Sequence, residues 1–135
     1  MNISEDKISL INYSIDFAEK MLNENQEFYP FASTINLCGE HYATALWEGD
    51  DHPSSKTLLD NLEIMLEKQI NLKEKRAYAL VYDVKVQKEN SGRIFDAIAI
   101  KLRHTEAKEI TIYYYAYKMN TQNTIEHLES WAEYG

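Results

Sequence analysis

Hydrophobic and polar positions alternate in three segments of the second half of the chain, residues 78–86, 93–103 and 109–117. Alternation with a period of two is typical of a β-strand that buries one face, because successive side chains point to opposite sides of the sheet. A loop signal at residues 89–92, Glu-Asn-Ser-Gly, separates the first two segments. The three segments therefore predict strands of one antiparallel sheet, whose apolar faces must be covered by helices.

Two helices are predicted ahead of these strands. Apolar residues recur at helical spacing over residues 5–23, where Ser4 can cap the first turn. A second helix is predicted from Pro53, because the N–H that proline lacks would have no partner in the first helical turn. The basic residues at 73–76 are predicted to close it, since cations complement the negative end of the helix dipole.

A hairpin is predicted between these helices. Residues 32–37 and 40–47 predict two short strands, and Pro30 places the start of this segment at a strand beginning or an edge. Cys38 and Gly39 lie between the strands and predict a tight turn, because glycine adopts the positive φ that such turns need.

A third helix is predicted at the C-terminal end of the chain. Asn123 followed by Glu126 resembles a capping box, and Ile125 and Leu128 recur as on a short helix. The predicted fold is a single α+β domain over residues 1–135, with a five-stranded antiparallel sheet, helices on both faces and the order α-β-β-α-β-β-β-α. This order is similar to that of roadblock and profilin-like folds.

Composition narrows the classes of partner. The chain of 135 residues has 22 acidic and 14 basic residues, for a formal net charge of −8, which repels nucleic acid and anionic lipid. No segment approaches the ~20 apolar residues of a membrane span. Cys38 is the single cysteine, so no intramolecular disulfide can form and a reducing compartment is expected. We therefore expect a cytoplasmic protein that binds neither nucleic acid nor membrane.

Four short motifs resemble the pattern of a widespread group of small uncharacterised bacterial proteins. They are EFYPFA at residues 27–32, DHPS at 51–54, VYDV at 81–84 and DAI at 96–98. Where that pattern usually has glycine after the second phenylalanine, this chain has Ala32. The resemblance implies a bacterial, cytoplasmic, single-domain protein and supplies no catalytic residue.

Two small sets of reactive side chains are candidates for chemistry. Cys38 with His41 or His52 would make a nucleophile and a base, but nothing in the spacing enforces a lowered thiol pKa. Asp50 and Asp51 with these histidines would offer metal ligands, but they lack a spacing that places ligands on one face. We therefore predict no catalytic, cofactor-binding or metal-binding residue, and an enzyme is the less favoured class.

Asp83 and Asp96 each interrupt an otherwise apolar strand. If the two carboxylates were neighbours, mutual repulsion would raise one pKa. Matching the bulky faces instead pairs Tyr82 with Ile98, which sets Val84 opposite Asp96 and sends Asp83 to the other side of the sheet. Structural roles are therefore predicted, in which either carboxylate accepts a hydrogen bond from a backbone amide or a tyrosine hydroxyl.

Aromatic residues provide the most distinctive candidate site, because ten tyrosines are many for this length and tyrosine suits a partly wet contact surface. The rings have two interpretations, a surface for a partner or packing beneath the first and last helices. The predicted interaction surface consists of Phe28, Tyr29, Phe31, Tyr113, Tyr115 and Tyr117.

A protein-interaction or regulatory module without catalytic activity is the function that these patterns favour. Its partner would be another protein or a second copy of the chain, and a homodimer would extend or cover the sheet. The alternative is a small-ligand binding protein or weak hydrolase. Its pocket would lie between the sheet and the second helix, with His41, His52 and Asp51 at the mouth.

Overall fold

The structure, a computed structural model, describes residues 2–44, 55–87, 92, 94–122 and 124–134. Within them two helices and six strands follow one another along the chain. They are α1 (Ile3–Asn25), β1 (Phe31–Asn36), β2 (His41–Thr44), α2 (Ser55–Asn71), β3 (Lys75–Gln87), β4 (Ile94–His104), β5 (Thr111–Met119) and β6 (Ile125–Tyr134). The strands form one antiparallel sheet in the order β2-β1-β3-β4-β5-β6. The predicted α+β class with an antiparallel sheet is confirmed.

The predicted terminal helix is wrong, because Ile125–Tyr134 is a sixth strand that pairs with β5. The side chain of Asn120 accepts hydrogen bonds from the N–H groups of Gln122 and Thr124, and this turn reverses the chain directly onto β5. A ten-residue helix is marginal by itself, whereas the strand satisfies its backbone against an existing neighbour. The capping-box residue Asn123 lies outside the described residues.

The first helix is capped by Asn2 and not by the predicted Ser4. The Asn2 side chain accepts a hydrogen bond from the N–H of Glu5, which satisfies one of the donors exposed at a helix start. At the other end Gln26 adopts a left-handed conformation and donates its N–H to the carbonyl of Leu22. The helix is therefore longer than the predicted residues 5–23.

The hairpin and the second helix follow the prediction with shifted ends. Gly39 has a φ of 90°, and the side chain of Asn36 accepts the N–H groups of Cys38 and Glu40, so the predicted turn is confirmed. The segment at 45–54, which includes the predicted helix start at Pro53, lies outside the described residues. The basic residues at 75–76 begin β3 and do not close α2.

One face of the sheet packs against α1. The helix buries one side chain per turn, at Leu10, Ser14, Ala18 and Leu22, and this stripe packs on buried residues of the sheet. The core on this face draws on five strands, β1, β3, β4, β5 and β6. Its residues are Leu10, Ala18, Leu22, Phe28, Phe31, Ile35, Ala77, Ala79, Val81, Ile98, Ile100, Leu102, Tyr117 and Ile125. Inside this apolar layer, the hydroxyl of Ser14 donates to the carbonyl of Leu10 at 2.7 Å, and Ser14 Oγ lies 2.8 Å from Ser33 Oγ.

The other face packs against α2 over part of its width. Leu62, Leu66 and Ile70 of α2 contact Tyr78 and Leu80 of β3, with β1 alongside. The hydroxyl of the fully buried Tyr78 donates to Glu67 of α2 at 2.8 Å. Since α2 lies over β1 and β3, no helix of the described residues covers β5 and β6 on this side.

The predicted register of the central hairpin is wrong by one residue. Tyr82 pairs with Ala99 and not with Ile98, so Asp83 lies opposite Ile98 and Lys85 lies opposite Asp96. Small alanines of β4 therefore share a face with the bulky even-numbered residues of β3, and this arrangement leaves room for their side chains. As a consequence Asp83 and Asp96 are on the same side of the sheet.

Candidate functional site

A row of side chains runs from the border of α2 across the uncovered half of the sheet. Tyr82, Ala99, Tyr114 and Trp131 are successive cross-strand neighbours on β3, β4, β5 and β6. Directly paired residues project to the same side of a sheet, so all four lie on the side that carries α2. The next row places Ile112 beside Glu133 on the same side. We call Tyr82, Ile112, Tyr114, Trp131 and Glu133 the open face.

Aromatic rings form the floor of the open face. The rings of Tyr114 and Trp131 are stacked, with centroids 5.5 Å apart and planes 19° apart. Ala99 next to Tyr114 is fully buried, whereas Tyr82, Tyr114 and Trp131 themselves are half-buried. An aromatic surface that is apolar in its centre and wet at its rim is typical of contact sites.

Carboxylates stand on two sides of this aromatic floor. The hydroxyl of Tyr114 donates to Glu133 Oε2 at 3.3 Å. Burial, followed by the nearby charges of Glu63 on α2 and Glu133 on β6, raises the pKa of Tyr82. Burial and the charge of Glu133 likewise raise the pKa of Tyr114. The open face is therefore bordered by negative charge from a helix and from a strand.

Along the α2 border, the cations of β4 are already paired. Lys101 forms an ion pair with Glu63, and Arg103 forms one with Glu67. A groove of about 820 Å³ follows α2 beside these pairs. It is lined by Asp60, Glu63, Ile64, Glu67, Lys68, Asn71 and Leu72. These pairs neutralise Glu63 and Glu67, and Lys68 also lines the groove, so the α2 border is polar with little net charge.

Most rings of the aromatic set predicted from sequence pack against α1. Phe31 is 1% exposed, and Phe28 and Tyr117 are also buried in the core. Tyr113 and Tyr115 are half-buried against the same core, while Tyr29 is 44% exposed. Five of these six rings therefore follow the alternative interpretation, in which the rings pack beneath a helix, and this helix is α1. Use of the set by a partner stays a prediction.

The open face does not follow from the sequence patterns. Alternation along β5 does separate Tyr114 from Tyr113 and Tyr115, so the opposite orientation of its ring was readable. Trp131 was assigned to a helix, and without a sixth strand nothing placed its ring beside Tyr114. Residues 129–133, Glu-Ser-Trp-Ala-Glu, do not alternate in polarity, so the sequence carries no local signal that marks this segment as a strand.

Cys38 and His41 have separate surroundings, and neither is described in contact with a second catalytic group. Cys38 is free and exposed in the turn. His41 Nε2 lies 3.0 Å from Ser9 Oγ, and its ring is 5.5 Å from that of Tyr13, so this histidine faces α1 and not α2. Asp50, Asp51 and His52 lie outside the described residues. In the part of the chain that is described, no three His, Cys, Asp or Glu side chains form a group that could hold a metal ion.

Asp83 has the structural role predicted for it. The hydroxyl of Tyr117 donates to Asp83 Oδ1 at 2.9 Å. Burial raises the pKa of Asp83, with a further contribution from the charge of Asp96, while the hydrogen bond from Tyr117 opposes the rise. Asp96 itself lies 3.8 Å from Lys85 Nζ in an exposed pair.

A buried polar cluster that the sequence analysis did not identify joins α1 to β4. The fully buried His104 has its Nε2 2.8 Å from Asp6 Oδ2, and Arg76 Nη1 lies 3.5 Å from Asp6 Oδ1. Arg76 also donates to the carbonyl of Leu37 at 3.0 Å. Every member has a partner within the fold, so this cluster serves to position α1.

Comparisons with known proteins give no relative. No family model, curated protein sequence or solved structure matches the chain. The resemblance to small bacterial proteins and to roadblock or profilin-like folds therefore stays a prediction. Among the helices of the described residues, none is long and apolar enough to cross a membrane.

Proposed function

We propose that this protein is a non-catalytic interaction module that binds a protein partner through the open face. The observation that carries the proposal is that α2 lies over β1 and β3, so that Ile112, Tyr114 and Trp131 lie beyond the helix, with Tyr82 at its border. Tyrosine and tryptophan are enriched at protein contacts, because a rigid ring supplies a large contact area at low entropic cost.

Charge and cysteine content support the choice of partner and compartment. The net charge of −8 disfavours nucleic acid and anionic membranes and leaves protein as the partner class. A bacterial cytoplasmic location is part of the proposal: the single cysteine fits a reducing compartment, and the short motifs resemble those of small bacterial proteins. Self-association through the open face is a second form of the same function, and it would give a homodimer.

The reactive side chains support a binding role over catalysis. His41 faces Ser9 and Tyr13 of α1, and Asp83 accepts a hydrogen bond from Tyr117. Each of these groups has a bond that accounts for its position. Neither His41 nor Asp83 borders the open face. The aromatic surface can therefore bind a partner through apolar contact and charge.

The test compares the wild type with a Tyr114→Ala/Trp131→Ala variant. The matched control is Tyr42→Ala, because Tyr42 is an exposed tyrosine on the opposite edge strand β2. Sedimentation velocity measures self-association, and quantitative affinity capture from a bacterial lysate measures recovery of a specific partner. We expect a dimer or one recovered partner for the wild type and the control, and a loss of about tenfold or more in affinity for the double variant.

Two outcomes would overturn the proposal. One is a wild-type protein that is monomeric and recovers the same proteins as the double variant. The other is a partner whose affinity falls equally with Tyr42→Ala. Thermal unfolding of each variant shows that it remains folded, since a loss of binding by an unfolded variant has no bearing on the surface.

A further inference from the structure

We infer that the open face recognises an extended, positively charged segment of its protein partner. In this arrangement an arginine or lysine lies on the Tyr114–Trp131 pair beside Glu133, and the partner's main chain adds to the outer edge of β6. The inference rests on the proposed function and specifies the chemistry of the partner.

The outer edge of β6 is the first element of the inference. β6 is the terminal strand of the sheet, it is ten residues long, and no strand of the described residues pairs with its outer side. In an antiparallel sheet about half of the backbone N–H and C=O groups of such a strand point away from its neighbour. An extended peptide can pair with these groups and thereby continue the sheet.

The charges of β6 select the partner. The strand carries Glu126, Glu129 and Glu133 and has no lysine or arginine. Carboxylates along an edge repel an acidic strand and attract a basic one, so they limit pairing with another acidic chain. A second copy of this chain would bring the same three glutamates and a net charge of −8, which makes it the poorer occupant.

The corner formed by Tyr114, Trp131 and Glu133 suits a cationic side chain. A cation above an aromatic ring is attracted by the negative face of the ring, and a carboxylate beside the ring adds a charge-assisted hydrogen bond. The bond from the Tyr114 hydroxyl holds the Glu133 carboxylate beside the stacked rings before any partner arrives. Such preorganisation reduces the entropic cost of binding.

Among the described residues, the lysine and arginine side chains of β4 and β5 are paired within the chain. Lys118 lies 3.4 Å from Glu126, and Lys101 is paired with Glu63. The cation for the aromatic corner is therefore expected from the partner.

The test uses synthetic eight-residue peptides of alternating sequence. Arginine-threonine repeats supply the charge, glutamine-threonine repeats supply the same backbone without charge, and glutamate-threonine repeats reverse it. Binding is followed by the fluorescence of Trp131 in a Trp47→Phe background, since the chain has two tryptophans. We expect the arginine peptide to bind about tenfold or more tightly than the glutamine peptide, with a preference that falls as salt rises.

Three variants locate the charge. Glu133→Gln should weaken arginine-peptide binding by about tenfold, and Tyr114→Phe, which keeps the ring and removes the hydroxyl, by about threefold. Glu24→Gln changes the net charge equally at an exposed position of α1 and should leave the affinity unchanged. An equal loss with Glu24→Gln, or equal affinity for the neutral peptide, would overturn the inference.

A further peptide tests strand addition. The arginine peptide with N-methyl groups on alternate residues keeps its charges and loses the backbone donors that pair with an edge. We expect it to bind at least about tenfold more weakly. Equal binding would overturn the pairing with β6. If every peptide fails while the Tyr114→Ala/Trp131→Ala variant still loses a dimer or a protein partner, the cationic preference fails and the proposed function stands.

Discussion

Asp6 Oδ2 and His104 Nε2 lie 2.8 Å apart, although 98 positions separate the two residues in the chain. The N–H of Glu106 donates to His104 Nδ1 at 3.1 Å, so Nε2 is the ring nitrogen that donates to Asp6. This bond joins the first turn of α1 to the last residue of β4. It holds the helix across the end of the sheet, where Arg76 supplies a second contact to the same carboxylate.

We predict that Asp6→Ala destabilises the protein by about 2–3 kcal/mol, because it leaves the buried His104 ring and the Arg76 guanidinium without their common acceptor. Glu5→Ala removes a neighbouring acidic residue of the same helical turn and should cost less than about 1 kcal/mol. Urea unfolding at neutral pH measures both values. Equal losses for the two variants would indicate that the helix dipole, and not the bond to His104, accounts for the effect.

The serine pair between α1 and β1 should respond non-additively to substitution. Ser14 already donates to Leu10, so the hydroxyl of Ser33 is the donor in the 2.8 Å contact between them. We predict that Ser14→Ala costs about 1–3 kcal/mol, because it leaves the buried Ser33 donor without an acceptor. Adding Ser33→Ala should recover part of this loss, since the stranded hydroxyl is then removed. A double-mutant cycle by chemical unfolding tests the sign, and a strictly additive cycle would contradict the assignment.

Asp83 should make the protein less stable as the pH rises. Its pKa in the folded state is raised by burial and by Asp96, so folding favours the protonated carboxyl. The resulting stabilisation is fully present below the ordinary aspartate pKa, near 4, and is lost as the pH rises through the higher folded value. Asp83→Asn keeps an oxygen that can accept the Tyr117 hydroxyl and removes this titration.

We therefore expect the melting temperature of Asp83→Asn, relative to the wild type, to increase between about pH 3.5 and pH 7. The exposed Asp16 of α1 gives the matched variant, Asp16→Asn. Calorimetry over this pH range measures the difference. A relative melting temperature that stays constant with pH, or the same rise in Asp16→Asn, would contradict the role assigned to burial.

The packing of α2 on the sheet should depend on one face of the helix. Leu66 is 0% exposed in contact with the β1 and β3 layer, whereas Ile64, two residues earlier, is 68% exposed. We predict that Leu66→Ala costs about 2–5 kcal/mol through lost burial and a residual cavity. Ile64→Ala should change stability by less than about 0.5 kcal/mol. Thermal and urea unfolding of both variants gives the comparison, and similar losses would indicate a different orientation of α2.

Local patterns were informative wherever the packing of an element follows from its own periodicity. Periodicity predicts α1 and the strands β3, β4 and β5, because each of these elements buries side chains with a fixed repeat. The turn at Gly39 is predicted for another reason, since glycine readily adopts a positive φ. The segment of β6 has no strand pattern of its own, since Ile125 and Leu128 fit a helical spacing and residues 129–133 do not alternate in polarity. The segment becomes a strand because β5 offers it an edge with unpaired backbone groups, and this edge exists only once the sheet has formed.

The amino-acid sequence by itself determined the α+β class, the two long helices, the central strands and an acidic surface, because these depend on composition and on patterns within single elements. Only the tertiary structure decided the sixth strand, the register that brings Asp83 to Tyr117, the bond between Asp6 and His104 and the open face. Each of these joins residues that are distant in the chain, and their proximity depends on which strands pair and on how far α2 extends across the sheet. Local periodicity carries no information about such distances.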